Sequence, residues 1–314
     1  MTDNITAETM DIERAQAVAR RVIENIEQVI VGQHEAVEHL VTSVLAGGNV
    51  LLEDIPGVGK TMLARSLARS IDGRFKRIQF TPDLLPSDIT GANVFNQKTQ
   101  EFEFRDGPIF ANVILGDEIN RAPPKTQTAL LEAMDEGQVT VDGETHPVPS
   151  PFTVIATQNS VEEDRTYSLP LAEIDRFMKR LHLGYPDEQD ETELLGRVTG
   201  EHPIESLSAV VSIEDIHTAQ LAVSNVRVED AIRQYVTRLA RYTREHAQLG
   251  VSPRGAVALL HAAQARAVLD QREYVTPEDV QQETRTTFTH RIRTTPGDDT
   301  SASIVMGALE SVDI

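Results

Sequence analysis

Apolar residues recur in two different patterns along this 314-residue chain. Between Asp11 and Ile30, Ala15, Val18, Val22 and Ile26 fall three or four apart, the repeat of a helix with one buried face. Asn49–Leu52, Asn112–Leu115 and Phe152–Ala156 are instead short apolar runs, the mark of buried strands, and the last two end in polar residues. A glycine-rich turn follows the first run, and then a helix is predicted from Thr61 with Leu63, Leu67 and Ile71 on one face. Helices alternating with such strands predict an α/β fold around a parallel sheet.

From about Tyr185-Pro186 onward the pattern is helical only. Ile232, Tyr235, Val236 and Leu239 mark one helix, and Ser252-Pro253 begins another with a serine cap and a first-turn proline. Thr276-Pro277-Glu278-Asp279 reads as a capping box opening a third. The expected organisation is an α/β core over residues 1–190 and a smaller all-helical domain over 191–314.

Composition narrows the chemistry. Without cysteine, thiolate zinc sites, iron–sulfur clusters, disulfides and thiol nucleophiles are excluded. Runs such as Val50-Leu51-Leu52 fall far short of the roughly 18 apolar residues of a membrane span. The polar, acidic stretch Met1–Glu13 does not resemble a secretory signal. The expectation is a soluble, cytoplasmic protein. With 29 basic against 49 acidic residues the net charge is −20, which opposes long-range attraction to nucleic acid, although a local basic channel is compatible with it. No tryptophan and 4% aromatics also argue against a base-stacking platform.

The strongest chemical signal is Asp54-Ile55-Pro56-Gly57-Val58-Gly59-Lys60-Thr61, set between a strand and a helix. Glycines let successive backbone N–H groups wrap phosphates, and the helix N-terminus adds positive partial charge. Lys60 is placed to reach β- and γ-phosphates and the Thr61 hydroxyl to bind Mg²⁺. Pro56, Gly57, Val58, Gly59, Lys60, Thr61 and Met62 are the candidate nucleotide-binding set of this loop, with Asp54 standing where the usual P-loop has its first glycine. Val113-Ile114-Leu115-Gly116-Asp117-Glu118 is an apolar strand ending in paired acids. Asp117 there is a candidate Mg²⁺ ligand, and Glu118 a candidate for polarising the water that attacks the γ-phosphate. A third strand ends in Thr157-Gln158-Asn159, where Asn159 is either a turn residue or a hydrogen-bond donor to phosphate and water.

These elements, in this order, resemble an AAA+ ATPase with Walker A, Walker B and sensor 1 motifs. More narrowly, Leu51–Thr61, Asp117-Glu118-Ile119-Asn120-Arg121-Ala122-Pro123-Pro124-Lys125, Ala156–Asn159 and Ile174-Asp175-Arg176-Phe177 resemble the MoxR family. The likeness runs from about Val31 to Asp279, and it departs from the family at Ser160, Arg165, Leu171 and Glu173. It implies an AAA+ P-loop core of αβα type with a helical lid, using ATP and Mg²⁺. It implies that Val31-Gly32-Gln33 lines the adenine pocket, which makes Gly32 and Gln33 candidates for nucleotide contact. Residues of about 80–108 match the helix-2 insert. Residues of about 137–150 match the pre-sensor-1 hairpin, and the Asp142-Gly143 pair reads independently as a tight hairpin turn. Arg176 falls at the arginine-finger position, acting on the neighbouring subunit, or else forms a surface salt bridge with Asp175 or Glu173. Arg254, at the first turn of a lid helix, matches sensor 2 and is expected to reach down onto the nucleotide.

The function so implied is chaperone-like remodelling or maturation of a protein client, driven by ATP in a homo-hexameric ring, often beside a von Willebrand type A partner. The rivals are a nucleotide-sensing scaffold with little turnover and a chelatase- or helicase-like motor.

Overall fold

The computed structural model describes residues 11–158, 167, 169–197, 203–295 and 299–314. The strands are β1 (Val50–Glu53), β2 (Phe75–Gln79), β3 (Gly91–Asn96), β4 (Glu101–Asp106), β5 (Val113–Asp117), β6 (Gln138–Val141), β7 (Glu144–Pro147), β8 (Thr153–Gln158) and β9 (Lys179–Leu181). The helices up to β9 are α1 (Ile12–Glu27), α2 (His34–Leu45), α3 (Lys60–Ser70), α4 (Pro86–Thr90), α5 (Pro124–Glu136) and α6 (Leu171–Ile174). Beyond it lie α7 (Glu188–Arg197), α8 (Pro203–Ser206), α9 (Ile213–Ser224), α10 (Asp230–His246), α11 (Pro253–Leu269), α12 (Pro277–Phe288) and α13 (Ser301–Ser311). The first helix stops three residues short of the predicted Ile30, and the helix after the glycine turn starts at Lys60 rather than Thr61.

Five strands form one parallel sheet in the order β2-β5-β8-β1-β9. Their apolar runs alternate between two buried faces, which is why they read as continuous rather than alternating. Val50, Leu52, Val113, Leu115 and Ile155 join the core that contains α1, α2 and α3. Leu51, Ile114, Val154 and Ala156 face the core beneath α5. The first of these cores continues without a break into the helical part through Ile216, Tyr235, Leu239, Leu259 and Val280. The predicted caps hold: Thr276 forms a capping box with Asp279, and the Ser252 hydroxyl accepts from Gly255 N at 3.1 Å. Ser212 adds a further capping box with Asp215 at the start of α9.

Two antiparallel hairpins stand apart from the sheet. β3–β4 lies within the expected 80–108 insert, and β6–β7 within the expected 137–150 hairpin, with Asp142 and Gly143 both at positive φ in its turn. They touch each other: Asn93 Nδ2 donates to Asp142 Oδ2 at 2.9 Å, and Phe104 stacks on His146 with 3.9 Å between ring centroids. Residue 190 falls inside α7. The last strand ends at Leu181, and residues 182–187 form neither helix nor strand before α7, so a division at 190 falls within a helix.

Fully buried charges tie the sheet to the helical part. Lys179 on β9 lies 2.6 Å from Glu283 on α12, and both side chains have no solvent exposure. Arg266 on α11 donates to the other Glu283 oxygen at 2.8 Å and to Glu38 on α2 at 2.9 Å, while His39 Nδ1 lies 3.2 Å from Glu283. Four elements thus share one ionic cluster, fully buried at Lys179 and Glu283 and reaching solvent at Glu38.

Candidate functional site

The chain leaves β1, turns through Asp54–Gly59 and enters α3 directly. Gly57 and Gly59 sit at φ +92° and +95°, a backbone region that a side chain strongly disfavours. The turn they allow aims the unpaired N–H groups at the start of α3 into a cavity of about 360 Å³. Pro56, Gly57, Gly59, Lys60, Thr61 and Met62 line it on the loop side, Asp117 and Glu118 from the end of β5, and Arg77 from β2. Val58 does not: its side chain packs onto the main core, which anchors the loop instead of facing the ligand space. Lys60 Nζ donates to the carbonyl of Asp54 at 2.9 Å, folding back over its own loop.

Asp54 has a structural reason to replace glycine. Its carboxylate is buried and accepts from its neighbour Ile55 N at 2.9 Å, and from Leu183 N at 2.5 Å and Gly184 N at 2.9 Å beyond β9. A glycine could not staple the P-loop to that segment. The sequence marks Asp54 only as an irregularity, because its partners lie 129 and 130 residues away.

The paired acids are held rigidly. Thr157 on β8 donates its hydroxyl to Asp117 Oδ1 at 2.7 Å and accepts from Glu118 N at 2.9 Å. Glu118 has φ +56°, uncommon for a residue with a side chain, and the Thr157 bond helps hold it there. Its Oε2 accepts from Gln79 Nε2 and Arg121 Nη1, each at 2.9 Å. Asp117 Oδ2 is gripped by Arg77, with Nη2 at 2.5 Å and Nε at 3.1 Å. Neither Arg77 nor Gln79 stands out in the sequence. The parallel register Gln79↔Asp117 and the two-residue alternation of β2 bring both to this end of the sheet.

The hydroxyl of Thr61 and the free capacity of the Asp117 carboxylate are hard oxygen donors from two elements on one cavity, the donor type that suits Mg²⁺. Among the described residues no cluster of three or more His, Cys, Asp or Glu gathers elsewhere as a metal site. A cation that keeps several waters and takes substrate phosphates needs no such cluster. β8 lies between β1 and β5, so the strand carrying the third motif is where the sequence expects it. Asn159 itself lies outside the described residues.

Gly32 and Gln33 are not on the P-loop cavity. They line a second cavity of about 530 Å³ with Arg180–Leu183 after and within β9, and with Arg285, Thr286 and Thr289. Gly32 is at φ +72°, and a Cβ there would lie 2.1 Å from Asp190 Oδ2, so α7 packs directly on its α-carbon. Leu183 lines this second cavity, and its N–H bonds Asp54 of the P-loop.

Arg176 and Arg254 are brought together, away from both cavities. Arg176 Nη1 bonds Asp135 Oδ2 near the end of α5, and Arg254 Nη2 donates to the same oxygen at 3.1 Å. The surface pairing of Arg176 with Asp175 or Glu173 does not form, because Asp175 is held by Ser252 and Arg291. Arg254 lines neither cavity, since the start of α11 faces the Arg176 loop. Burial raises the Glu173 carboxyl above its ordinary value, against the opposing pull of Arg176. Asp135 is the residue here that sequence reading missed.

A parallel sheet in this order, a P-loop on its second-to-last strand, paired acids two strands away and a helical part after the last strand define an AAA+ ATPase. The model of the ATPase family associated with various cellular activities matches residues 49–179, and that of the AAA lid domain residues 239–306. The chain is 52% identical to the Bacillus subtilis protein YeaC over 88% of this chain and 87% of that one. It is 39% identical to Chaperone MoxR1 of Mycobacterium tuberculosis over 92% and 78%, and 30% identical to Protein MoxR of Methylorubrum extorquens over 87% of each. A crystal structure from Cytophaga hutchinsonii superposes with a TM-score of 0.88 at 37% identity, covering 96% of this chain and 97% of that one. The chain belongs to the MoxR family of AAA+ ATPases, and its chemistry is ATP hydrolysis.

Proposed function

We propose that the P-loop cavity binds the ATP triphosphate with Mg²⁺ and that hydrolysis drives remodelling or maturation of a protein partner. Lys60 and the N–H groups opening α3 hold the β- and γ-phosphates, and Thr61 and Asp117 hold the cation. Bound there, Mg²⁺ would neutralise phosphate charge as it builds in the transition state. Glu118 orients the attacking water, with Gln79 and Arg121 fixing its carboxylate, and Asn159, which follows Gln158 in the sequence, assists. Gly32 and Gln33 contribute to the base side of the site through the segment that Asp54 fastens to the P-loop. The nucleotide-binding unit ends with β9, and the helical part from α7 onward is the lid.

Arg176 acts in trans as the arginine finger, and Arg254 belongs to the same trans face rather than to its own subunit's nucleotide. The observation that supports this reading is the placement of the two arginines on Asp135, outside the P-loop cavity. A site divided between subunits calls for a closed ring, for which the family expectation is a hexamer. The β3–β4 hairpin, with Phe95 and Phe102 exposed and packed edge to face, presents apolar surface suited to a protein client, with β6–β7 beside it. MoxR1 carries the name chaperone, and a chaperone role, with a von Willebrand type A partner, is proposed here too. Steady-state ATPase of Arg176→Ala, alone and mixed with Lys60→Ala, tests the divided site. Recovery on mixing supports it, and mixed rings that form yet stay silent refute it.

A further inference from the structure

The loop that carries Arg176 is held from the helical part by a buried bracket. Asp175 Oδ2 accepts from the hydroxyl of Ser252, the N-cap of α11, at 2.8 Å, and its Oδ1 accepts from Arg291 Nε at 2.7 Å. Arg291 lies in the single turn Thr289–Arg291 after α12 and is 3% exposed. Its fork runs along the backbone on both sides of Arg176: Nη2 donates to the carbonyls of Asp175 at 3.0 Å and Phe177 at 2.6 Å, and Nη1 to the carbonyl of Met178 at 3.0 Å. Nη1 also bonds the Thr287 carbonyl, which ties the guanidinium back to α12. Space for this side chain is cut into α11, where a Cβ on Gly255 would lie 2.6 Å from Arg291 Cδ. The first turn of α11 therefore carries Ser252 to Asp175, Arg254 to Asp135 and Gly255 to Arg291.

We propose that Arg291, acting through Asp175, is a positioning residue for Arg176: it sets where the finger guanidinium stands and couples that position to the pose of the helical part. The inference rests on the trans role given to Arg176 above. A buried guanidinium that loses its acceptors pays no compensating hydration, so the bracket is rigid while intact. It grips the loop's main chain on either side of one residue, and its geometry passes directly to that residue. Displacing a charge-stabilising group by about 1 Å costs on the order of 100-fold in rate.

The test uses the full chain with Asp175→Asn and Arg291→Lys, beside Arg176→Ala. ATPase kinetics, ATP affinity and thermal melting are measured on each, alone and mixed with Lys60→Ala subunits, whose own finger is intact. The expected result is kcat lowered on the order of 100-fold, with KM and ATP affinity unchanged and activity recovered on mixing. Wild-type turnover in Asp175→Asn overturns the proposal, as does lost turnover that mixing fails to recover, which is the mark of a merely structural contact. Should Arg291→Lys not fold, Asp175→Asn, which keeps the side chain's volume, decides alone. Arg176→Ala that keeps its turnover defeats the finger reading itself, whereas inactive Arg176→Ala beside active Asp175→Asn defeats only the bracket.

Discussion

At the P-loop cavity each carboxylate is met by an arginine of the same chain, Asp117 by Arg77 and Glu118 by Arg121. At the α5 corner, Arg176 and Arg254 share the single carboxylate of Asp135. The first region pairs both of its carboxylates beside Lys60 and adds polar anchors from Thr157 and Gln79, so its geometry is set before any ligand arrives. The second sets two guanidiniums on one carboxylate at the surface, with Arg254 half exposed. Two guanidiniums held side by side by one carboxylate keep donors for a further anion, which is the role proposed for them opposite a neighbouring subunit's nucleotide. The two regions therefore differ in how many arginines share each carboxylate.

The comparison is tested most severely at the P-loop cavity. Lys60→Ala should abolish ATP binding and turnover together, whereas Glu118→Gln should bind ATP normally and hydrolyse it poorly, because only the attacking water loses its organiser. Nucleotide titrations of both variants check this, and an equal loss of affinity in both would erase the division of roles. Next in size, Arg176→Ala should keep its affinity and lose about a thousandfold or more in kcat.

The fixed relation between the two regions depends on the buried cluster that joins β9, α2, α11 and α12. Glu283→Gln leaves Lys179 and Arg266 without their shared anion and should cost about 3–5 kcal/mol of stability, measured by denaturant unfolding. Burial by itself would raise the Glu283 carboxyl, yet Lys179, His39 and Arg266 facing it hold it well below its ordinary 4.5. The folded state thus binds fewer protons than the unfolded one there. The resulting stability is present above pH 4.5 and drains away as pH falls below it. Acid unfolding of wild type should show this slope, and Glu283→Gln should lack it.

The smallest effect is expected from Arg254→Ala, a loss of about ten- to a hundredfold in turnover with ATP affinity of the subunit unchanged. A fall in affinity like that of Lys60→Ala would mean that Arg254 serves its own cavity, and the contrast between the two regions would break.

Much of this was legible before any tertiary contact was known, and for one physical reason. The glycine turn into α3, the acids closing β5, the serine cap of α11, the capping box of α12 and the Asp142-Gly143 turn are each decided by residues within a few positions of one another. Local backbone geometry and nearby hydrogen bonds are enough to specify them. The apolar runs likewise announced a parallel sheet, since strands covered on both faces need no alternation. What the chain could not announce is which distant groups those elements carry to one another. Asp54 finds Leu183 and Gly184, Arg254 finds Asp135 across 119 residues, and Arg291 finds Asp175 across 116. Such partners are set by strand order and by the packing of α11 and α12 against the sheet. The sequence alone determined which chemistry this ATPase has; the fold decided which of its charges gather at the P-loop cavity and which meet at the α5 corner.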